Sequence, residues 1–226
     1  MTNFEANTAD NADFVQISAA ASREIRGGTV YRFVKRLFDV IFAALSLVIL
    51  AIPFAVISLA VALDSRGAVI FRQKRVGKDG REFFILKFRT MHDDTPAYIP
   101  TGDLERPHAY ITKTGSFLRV SSLDELPQLI NILRGDMSLV GPRPLIINET
   151  AIHTMRSEQG VYSVRPGVTG WAQVNGRDNL SVEEKVKFDS YYVNNCSLLF
   201  DLSILFRTVW VVIKREGFSE GKQKYS

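Results

Sequence analysis

The chain has 226 residues, which suits one domain with an appendage, and 46% of them are hydrophobic, which is ample for a core. Its formal net charge of +4 indicates an anionic partner. Zinc-finger, RNP and basic-zipper patterns are missing, so a membrane surface or a phosphorylated small molecule is favoured over nucleic acid. The single cysteine, Cys196, excludes an internal disulfide and fits a reducing compartment.

The two ends of the chain are expected to be tails. Residues 1–28 are polar, small and aperiodic, and they lack the basic region and apolar stretch of a signal peptide. We therefore predict a flexible cytoplasmic tail over 1–28 and a short tail over 219–226.

A re-entrant membrane helix is predicted over residues 29–66. From Val40 to Leu63 the chain is uncharged and long enough to span a hydrocarbon core. Pro53 lies slightly past the middle, where a proline kinks a helix. Both flanks are basic, which favours two cytoplasmic ends; the residues are Arg32, Lys35, Arg36, Arg66, Arg72, Lys74 and Arg75. The alternative is a simple spanning helix with a tolerated proline.

A β-hairpin is predicted after this helix. The β-rich runs 69–76 and 82–91 flank Lys78-Asp79-Gly80, and Asp-Gly is a strong turn signal. Lys87 and Arg89 either face a phosphate-bearing ligand or belong to a sheet surface facing solvent or lipid headgroups. Residues 92–115 are predicted to be a polar loop, because they contain three prolines and no zinc-site spacing.

Two adjacent carboxylates, Asp124 and Glu125, open an apolar helix predicted over 126–133. Ser122 and Glu125 have capping-box spacing, but a helix starting there would place Pro127 at its fifth position, where a proline removes a helical hydrogen bond. With Asp124 as N-cap, Pro127 falls in the first turn, where no N–H partner is needed. The residues alone leave two interpretations open, a helix start or a chemical role.

The second half of the chain is rich in arginine and glycine. An amphipathic helix is predicted over 146–159, and the segment RPGVTGWAQVNGR over 165–177 lacks the Walker A pattern. Glycine allows close approach of backbone N–H groups to an anion, and arginine offers a two-pronged donor for phosphate. An anionic ligand is consistent with Arg119, Arg143, Arg165 and Arg177, although each alone could be an ordinary surface or ion-paired arginine.

Two further helices are expected towards the end of the chain. The first runs from Ser181, with Ser181 as N-cap and Glu184 three residues on, to Tyr192. The second begins at Leu198 and is too apolar for a solvated helix. It belongs either to the core or to a membrane interface, with Trp210 and Lys214 near the headgroups.

Five motifs occur together in one order: KRLFD before an apolar helix with a central proline, RQKRVG, KFRTM, SLDELPQLINILRGDMSLVGPRPL and RPGVTGWAQVNGR. Over about Arg32 to Gly217 the chain resembles the bacterial sugar transferases, the small monotopic polyprenol-phosphate phosphoglycosyl transferases. The resemblance implies an α/β fold, mostly α, with a re-entrant helix joined to a compact catalytic domain over 67–218. A β-hairpin and interfacial amphipathic helices belong to that fold. Many members carry serine before the helix-breaking proline, whereas this chain has Ile52.

The same resemblance implies an activity at the cytoplasmic face of the bacterial inner membrane. A sugar-1-phosphate would pass from a UDP-sugar to undecaprenyl phosphate with release of UMP, starting exopolysaccharide or other glycan assembly. Asp124 would attack the β-phosphorus and carry a covalent intermediate, Glu125 would assist, and Mg²⁺ near Asp124 would screen the diphosphate. The implied substrate-binding residues are Arg119, Pro142, Arg143 and Pro144. The ligand-facing interpretation of the hairpin adds Lys87 and Arg89 to them. Asp189 is implied as a partner that orients an arginine.

Two alternatives belong to other classes of protein. One is a membrane-anchored scaffold whose basic face binds acidic lipid, with Asp124 only a helix cap. The other is a glycosyltransferase that releases UDP, although the D-x-D stretch of many such enzymes is missing. The released nucleotide separates the three functions. No segment specifies the sugar or an oligomeric state.

Overall fold

The computed structural model describes residues 28–93, 95, 107–176 and 179–214. Within these the chain is mostly helical, as predicted, and it has two small sheets. The predicted tails lie outside the described residues, apart from Gly28. The helices are α1 (Gly28–Ile49), α2 (Ala51–Asp64), α3 (Pro107–Tyr110), α4 (Lys113–Ser121), α5 (Gln128–Arg134), α6 (Thr150–Glu158), α7 (Trp171–Val174), α8 (Val182–Asn194) and α9 (Leu198–Lys214). The strands are β1 (Ile70–Val76), β2 (Glu82–Phe88), β3 (Ser138–Val140) and β4 (Gly167–Thr169).

The apolar N-terminal segment forms two helices with a sharp bend between them. Helices α1 and α2 meet at Leu50 with a bend of 66°. Pro53 stands in the first turn of α2, where its missing N–H costs no helical hydrogen bond. Among the described residues no single helix has the length and apolar character to cross a membrane, but this bent pair passes the same test as a unit.

Both arms of the bent pair are fastened to the rest of the protein. In α1, Tyr31 and Ala43 belong to the main hydrophobic core, and the carboxylate of Asp39 accepts a hydrogen bond from the Leu139 N–H at 3.1 Å. At the end of α2, Asp64 Oδ2 accepts a hydrogen bond from the Thr114 N–H at 2.8 Å. The two ends of the pair therefore contact one continuous body.

Three polar side chains from two other helices converge on Asp201 of α9. Tyr31 and Lys35 of α1 donate to its Oδ2 at 2.9 and 2.8 Å, and Tyr192 of α8 donates to its Oδ1 at 2.7 Å. All four side chains are largely buried, and a buried carboxylate is stable when it is paired in this way. Lys35, which the sequence suggested as a membrane-flanking charge, thus also joins α1 to α9.

The predicted hairpin is present. Strands β1 and β2 are antiparallel, with Phe71 opposite Lys87, and Asp79 has a φ of 56° in the turn.

The loop predicted over 92–115 is only partly a loop, because α3 lies within it and α4 begins at Lys113. Thr112 caps α4 by accepting a hydrogen bond from the Gly115 N–H.

A parallel pair of short strands, which sequence reasoning missed, supports the second half of the molecule. Ser138 of β3 pairs with Gly167 of β4. A methyl group on Gly167 would lie 2.1 Å from the Gly141 nitrogen, so glycine is required for this approach. The pair holds the start of the 142–146 loop against the RPGVTG segment.

The last three long helices differ from their predictions mainly at their ends. The helix expected over 146–159 is α6, Thr150–Glu158, and α8 has the predicted capping box between Ser181 and Glu184. Helix α9 buries Ile204 but exposes a row of apolar residues with alternating three- and four-residue spacing. That row comprises Leu199, Leu202, Phe206, Val209 and Ile213.

Candidate active site

The paired carboxylates lie on a 3₁₀ turn, Leu123–Glu125, that precedes α5. The predicted helix start was wrong, because the N-cap of α5 is Pro127 and the helix begins at Gln128. Ser122 adopts a left-handed conformation with a φ of 56°, and in the described structure it makes no side-chain capping bond. This turn buries the Asp124 side chain and directs both carboxylates towards β2 instead of towards the start of α5.

Lys87 of β2 contacts both carboxylates. Its Nζ lies 2.7 Å from Glu125 Oε1 and 3.8 Å from Asp124 Oδ2, and all three side chains are largely buried. An ion pair removed from water has a much stronger electrostatic interaction than one on the surface. The strand thus places a positive charge directly beside the carboxylate pair. That Lys87 also faces a phosphate-bearing ligand stays a prediction.

Two arginines complete the positive surroundings. Arg143 Nη1 lies 3.4 Å from Glu125 Oε1. Arg119, in the last turn of α4, donates from Nε to Thr90 Oγ1 at 2.9 Å, and its charge acts on Asp124. Helix α4 reaches Thr90 closely through Gly115, where a methyl group would lie 2.0 Å from the Thr90 oxygen. The site therefore combines two carboxylates with three cationic side chains.

The environment of Asp124 favours its protonated form. Burial raises the pKa of this carboxyl above its ordinary value, and the negative charge of Glu125 raises it further. Lys87, Arg119 and Arg143 act in the opposite direction. Perturbed carboxyl groups beside charged partners are typical of functional sites.

The Pro142-Arg143-Pro144 segment is held by its backbone. The Pro142 carbonyl accepts a hydrogen bond from the Gly167 N–H at 2.9 Å, and the Pro144 carbonyl accepts one from Arg75 Nη1 at 3.3 Å. A proline has no N–H group and a fixed φ, so two prolines restrict this segment without leaving donors unpaired. Arg143 is therefore presented to Glu125 from a well-supported loop.

Two of the predicted site arginines bind backbone carbonyls instead of joining the carboxylates. Arg89 is buried and donates to carbonyls of Ala68 and Ser65 at 2.8 and 2.6 Å, which places it at the end of α2. Arg165 donates from Nε to the Gly135 carbonyl at 2.8 Å, behind the C-terminus of α5. Arg177 lies outside the described residues.

Asp189 pairs with an arginine, in the way the resemblance implied. Its Oδ2 lies 2.5 Å from Arg156 Nη2, and both side chains are almost fully buried. Arg156 also donates to the carbonyl of Arg143 at 2.8 Å. Sequence reasoning did not identify Arg156; the only signal was a polar residue within the amphipathic helix predicted over 146–159.

The described residues contain no cluster of three or more His, Cys, Asp or Glu side chains suited to a metal ion. Mg²⁺ commonly binds through one or two carboxylates together with substrate phosphates and waters. Asp124 and Glu125 supply two adjacent carboxylates of that kind, but Lys87 and Arg143 already contact Glu125. Of the two carboxylates, Asp124 is therefore the one that could take part in holding a Mg²⁺ ion.

Comparison of the sequence with known proteins identifies a family. The family described as bacterial sugar transferase matches residues 30–215. A UDP-galactose-lipid carrier transferase of Erwinia amylovora is 43% identical over 201 residues, covering 82% of this chain and 42% of that protein. The exopolysaccharide production protein ExoY of Sinorhizobium fredii is 38% identical over 224 residues, covering 93% and 96% respectively.

The name of a third relative states a sugar donor and a lipid acceptor for that protein. It is the UDP-glucose:undecaprenyl-phosphate glucose-1-phosphate transferase of Escherichia coli K12, which is 42% identical over 188 residues. The match covers 80% of this chain and 40% of the relative, so the chain spans less than half the length of two of these three proteins. The family match extends from α1 to the end of α9 and includes every residue of the candidate site. The chain belongs to the bacterial sugar transferase family.

Proposed function

We propose that this protein transfers a sugar-1-phosphate from a UDP-sugar to undecaprenyl phosphate and releases UMP. The observation that carries the proposal is the buried Asp124–Glu125 pair among Lys87, Arg119 and Arg143. The names of the relatives from Erwinia and Escherichia coli support the same substrates, and that of ExoY supports a role in exopolysaccharide production.

In the first half of the reaction an Asp124 oxygen attacks the β-phosphorus of the UDP-sugar. The bond from that phosphorus to the bridging oxygen breaks, and UMP leaves with the electron pair. The sugar phosphate is then held on Asp124 as an acyl phosphate. In the second half, a phosphate oxygen of undecaprenyl phosphate attacks the same phosphorus, and the Asp124 carboxylate is regenerated. Covalent catalysis of this kind divides one difficult transfer into two easier steps.

The neighbouring cations make the approach of two anions feasible. Arg119, Arg143 and Lys87 would bind the oxygens of the diphosphate and stabilise the negative charge that develops during transfer. Glu125 holds Lys87 and Arg143 close to Asp124 through its own ion pairs. Its role in this proposal is to organise these cations and to assist the incoming acceptor phosphate.

A Mg²⁺ ion would be held by Asp124 together with the donor phosphates. When bound, such an ion neutralises phosphate charge and polarises the phosphoryl group. The protein residues position the diphosphate and exclude water from the buried side of Asp124.

We propose further that α1 and α2 form a re-entrant membrane element whose two ends lie on the cytoplasmic side. This is supported by the 66° bend and by the fastening of both arms to the catalytic body through Asp39 and Asp64. A body of this kind cannot occupy both sides of a bilayer. The exposed apolar row of α9, with Lys214 4.6 Å above the Trp210 ring, fits an adjoining interfacial helix.

The decisive experiment separates the two halves of the reaction. Purified enzyme is given a panel of UDP-sugars with Mg²⁺ but without acceptor, and we expect release of at most one UMP per site and a hydroxylamine-labile sugar phosphate on the protein. Asp124→Asn should fold but lose both signals, because an amide cannot serve as the nucleophile. Release of UDP would favour the glycosyltransferase alternative, and release of no nucleotide would favour the scaffold. Near-native turnover by Asp124→Asn would overturn the proposed role of Asp124.

A further inference from the structure

The loop that carries Arg143 has an unusual pattern of backbone support. Each of five consecutive carbonyls, from residue 142 to residue 146, accepts a hydrogen bond from another part of the protein. Two of these donors are backbone N–H groups of distant segments, those of Gly167 and Val76, and the Ile146 carbonyl additionally accepts from the nearby Glu149 N–H at 3.2 Å. The other three are side chains, those of Arg156, Arg75 and His153. A loop held at every residue is rigid, and rigidity of this kind positions functional groups accurately.

Helix α6 supplies two of these three side chains. Arg156 Nη1 donates to the Arg143 carbonyl at 2.8 Å, and His153 Nε2 contacts the Ile146 carbonyl at 2.7 Å. The two donors are three residues apart on a helix and therefore share a face. Their acceptors are also three residues apart, so one face of α6 holds both ends of the segment 143–146.

Each α6 donor is itself fixed by a buried partner. Arg156 is 3% exposed and pairs with Asp189, which is 1% exposed. His153 Nδ1 contacts the Tyr162 hydroxyl, and burial lowers the pKa of the histidine, which favours the neutral ring. Because a carbonyl can only accept, Nε2 carries the proton and Nδ1 accepts from Tyr162. Neither α6 side chain can turn away without losing a buried partner.

We infer that Arg156 and His153 are positioning residues for Arg143: through the 143–146 carbonyls they hold the Arg143 guanidinium at the carboxylate pair. The inference rests on the proposed function, because it assigns Arg143 to the donor diphosphate. Arg156 does not touch the substrate in this role. It acts only through the backbone of Arg143, 2.8 Å away, and through the fixed direction of that side chain towards Glu125.

A double-mutant cycle between Arg156 and Arg143 tests this inference. Arg156→Lys keeps a positive charge for Asp189 but loses the planar fork that reaches Asp189 and the Arg143 carbonyl together. We expect it to lower kcat/KM for acceptor-independent UMP release about ten- to a hundredfold, the scale that a displacement of about 1 Å can cause. In an Arg143→Gln background the same change should cost less than about twofold, because the group it positions is gone.

Matched controls distinguish positioning from a general loss of structure. Arg165 also donates to a backbone carbonyl, that of Gly135, but not within the loop, so Arg165→Lys should have the same effect in both backgrounds. Should Arg156→Lys fail to fold, His153→Phe, which keeps the ring but removes the donor to Ile146, enters the same cycle. The affinity for UDP is measured by calorimetry in the wild type, the two single variants and the double variant of the cycle. This readout does not require turnover.

The possible outcomes are distinct. If Arg156→Lys lowers kcat/KM and UDP affinity by the same factors in the wild-type and Arg143→Gln backgrounds, the inference is overturned. An Arg143→Gln protein that matches the wild type in both readouts would overturn it as well, because Arg143 would have no role to position. Failure of the wild type to release UMP would instead count against the proposed function, and the UDP-affinity cycle would still decide the role of Arg156.

Discussion

Lys87 Nζ lies 2.7 Å from Glu125 Oε1 but 3.8 Å from Asp124 Oδ2, so the ammonium group pairs more closely with the neighbour of the proposed nucleophile than with the nucleophile itself. Asp124 thereby keeps a nearby positive charge without a close hydrogen bond to it. A close hydrogen bond to the attacking oxygen itself would make that oxygen a weaker nucleophile. Glu125 therefore acts on Asp124 in two ways, through its own charge and through its hold on Lys87.

The first prediction concerns the pH dependence of UMP release. Burial and Glu125 raise the pKa of Asp124, and the nucleophile must be ionised, so activity should fall on the acid side at a pH above the ordinary aspartate pKa. Glu125→Gln removes a negative neighbour and should move this acid limb to lower pH. Lys87→Met removes a positive neighbour and should move it to higher pH.

Single-turnover rates of UMP release between mildly acidic and neutral pH check this prediction. The absolute rates of both variants should fall, because both residues belong to the proposed site, but the two acid limbs should move in opposite directions. Movement of both limbs in the same direction would show that Asp124 is not the group that titrates.

The second prediction concerns Asn131, whose side chain holds α5 against β2. It is 0% exposed, accepts a hydrogen bond from the Leu86 N–H at 2.9 Å and donates to the Phe84 carbonyl at 2.8 Å. Asn131→Leu has a similar volume but leaves both strand groups without this partner. We expect a loss of about 3 kcal/mol in the free energy of unfolding, since each unsatisfied buried group costs about 1–3 kcal/mol.

Denaturant unfolding of Asn131→Leu and of a control on the same helix measures this effect. Leu133→Ala alters a partly exposed residue of α5 and should cost less than about 1 kcal/mol. Because Lys87 follows Leu86 in β2 and Asp124 precedes α5, the Asn131 variant should also lose activity. Similar stability of the two variants would contradict the role of Asn131.

Elements with a local signal were predicted well from the sequence. The hairpin turn follows from Asp79-Gly80, and the start of α8 follows from the Ser181–Glu184 box, because in each case adjacent residues determine the backbone. Helix α4 was missed because its sequence, KTGSFLRVS, begins with weak helix formers, Thr114 and Gly115, in its first turn. Its stability depends on the Thr112 cap and on the contact between Gly115 and Thr90. Gly115 and Thr90 are distant in the sequence, so this contact has no local signal.

The structure brings together five of the residues that the sequence suggested for a site, but not in the predicted geometry; they are Lys87, Arg119, Asp124, Glu125 and Arg143. The alternation of basic and apolar residues predicted that Lys87 and Arg89 lie on the same face of one strand. The strand β2 ends at Phe88, however, and the Arg89 side chain contacts the end of α2. Asp124 was expected at the N-cap of a helix, whereas the left-handed Ser122 starts a separate 3₁₀ turn. Both differences depend on contacts between segments far apart in the chain, which spacing within one segment does not reveal.

The third prediction concerns Arg89 as a structural residue. Its guanidinium donates to the carbonyls of Val61, Ser65 and Ala68, which α2 and its exit leave without helical partners. Arg89→Lys cannot reach all three, and we expect a loss of about 2–3 kcal/mol in the free energy of unfolding. UDP affinity of the folded variant should stay near the wild-type value.

Thermal unfolding and calorimetric UDP titration of Arg89→Lys separate the two roles that the sequence left open. Arg66→Lys, a substitution at an exposed position in the same region, serves as the control and should change neither quantity. A variant of Arg89 with normal stability and much weaker UDP binding would restore Arg89 to the list of substrate-binding residues.

The last prediction concerns the topology of the bent helix pair. Arg36 of α1 donates to the Ile132 carbonyl at 2.6 Å, and Arg89 donates to carbonyls at the end of α2, so both arms are fixed to the same catalytic body. A spanning segment would separate the two flanks by about 30 Å of hydrocarbon. We therefore expect cysteines at the exposed positions Arg32 and Arg66, introduced in a Cys196→Ser background, to react with a hydrophilic maleimide only after the inner membrane is permeabilised.

A cysteine replacing Ile52, beside the bend, should stay unlabelled in both conditions because it would lie in lipid. Labelling of one flank in sealed spheroplasts would disprove re-entry. Pro53→Leu, which removes the proline next to the break, should shift part of the population towards that outcome, because a straighter helix of this length can cross the bilayer.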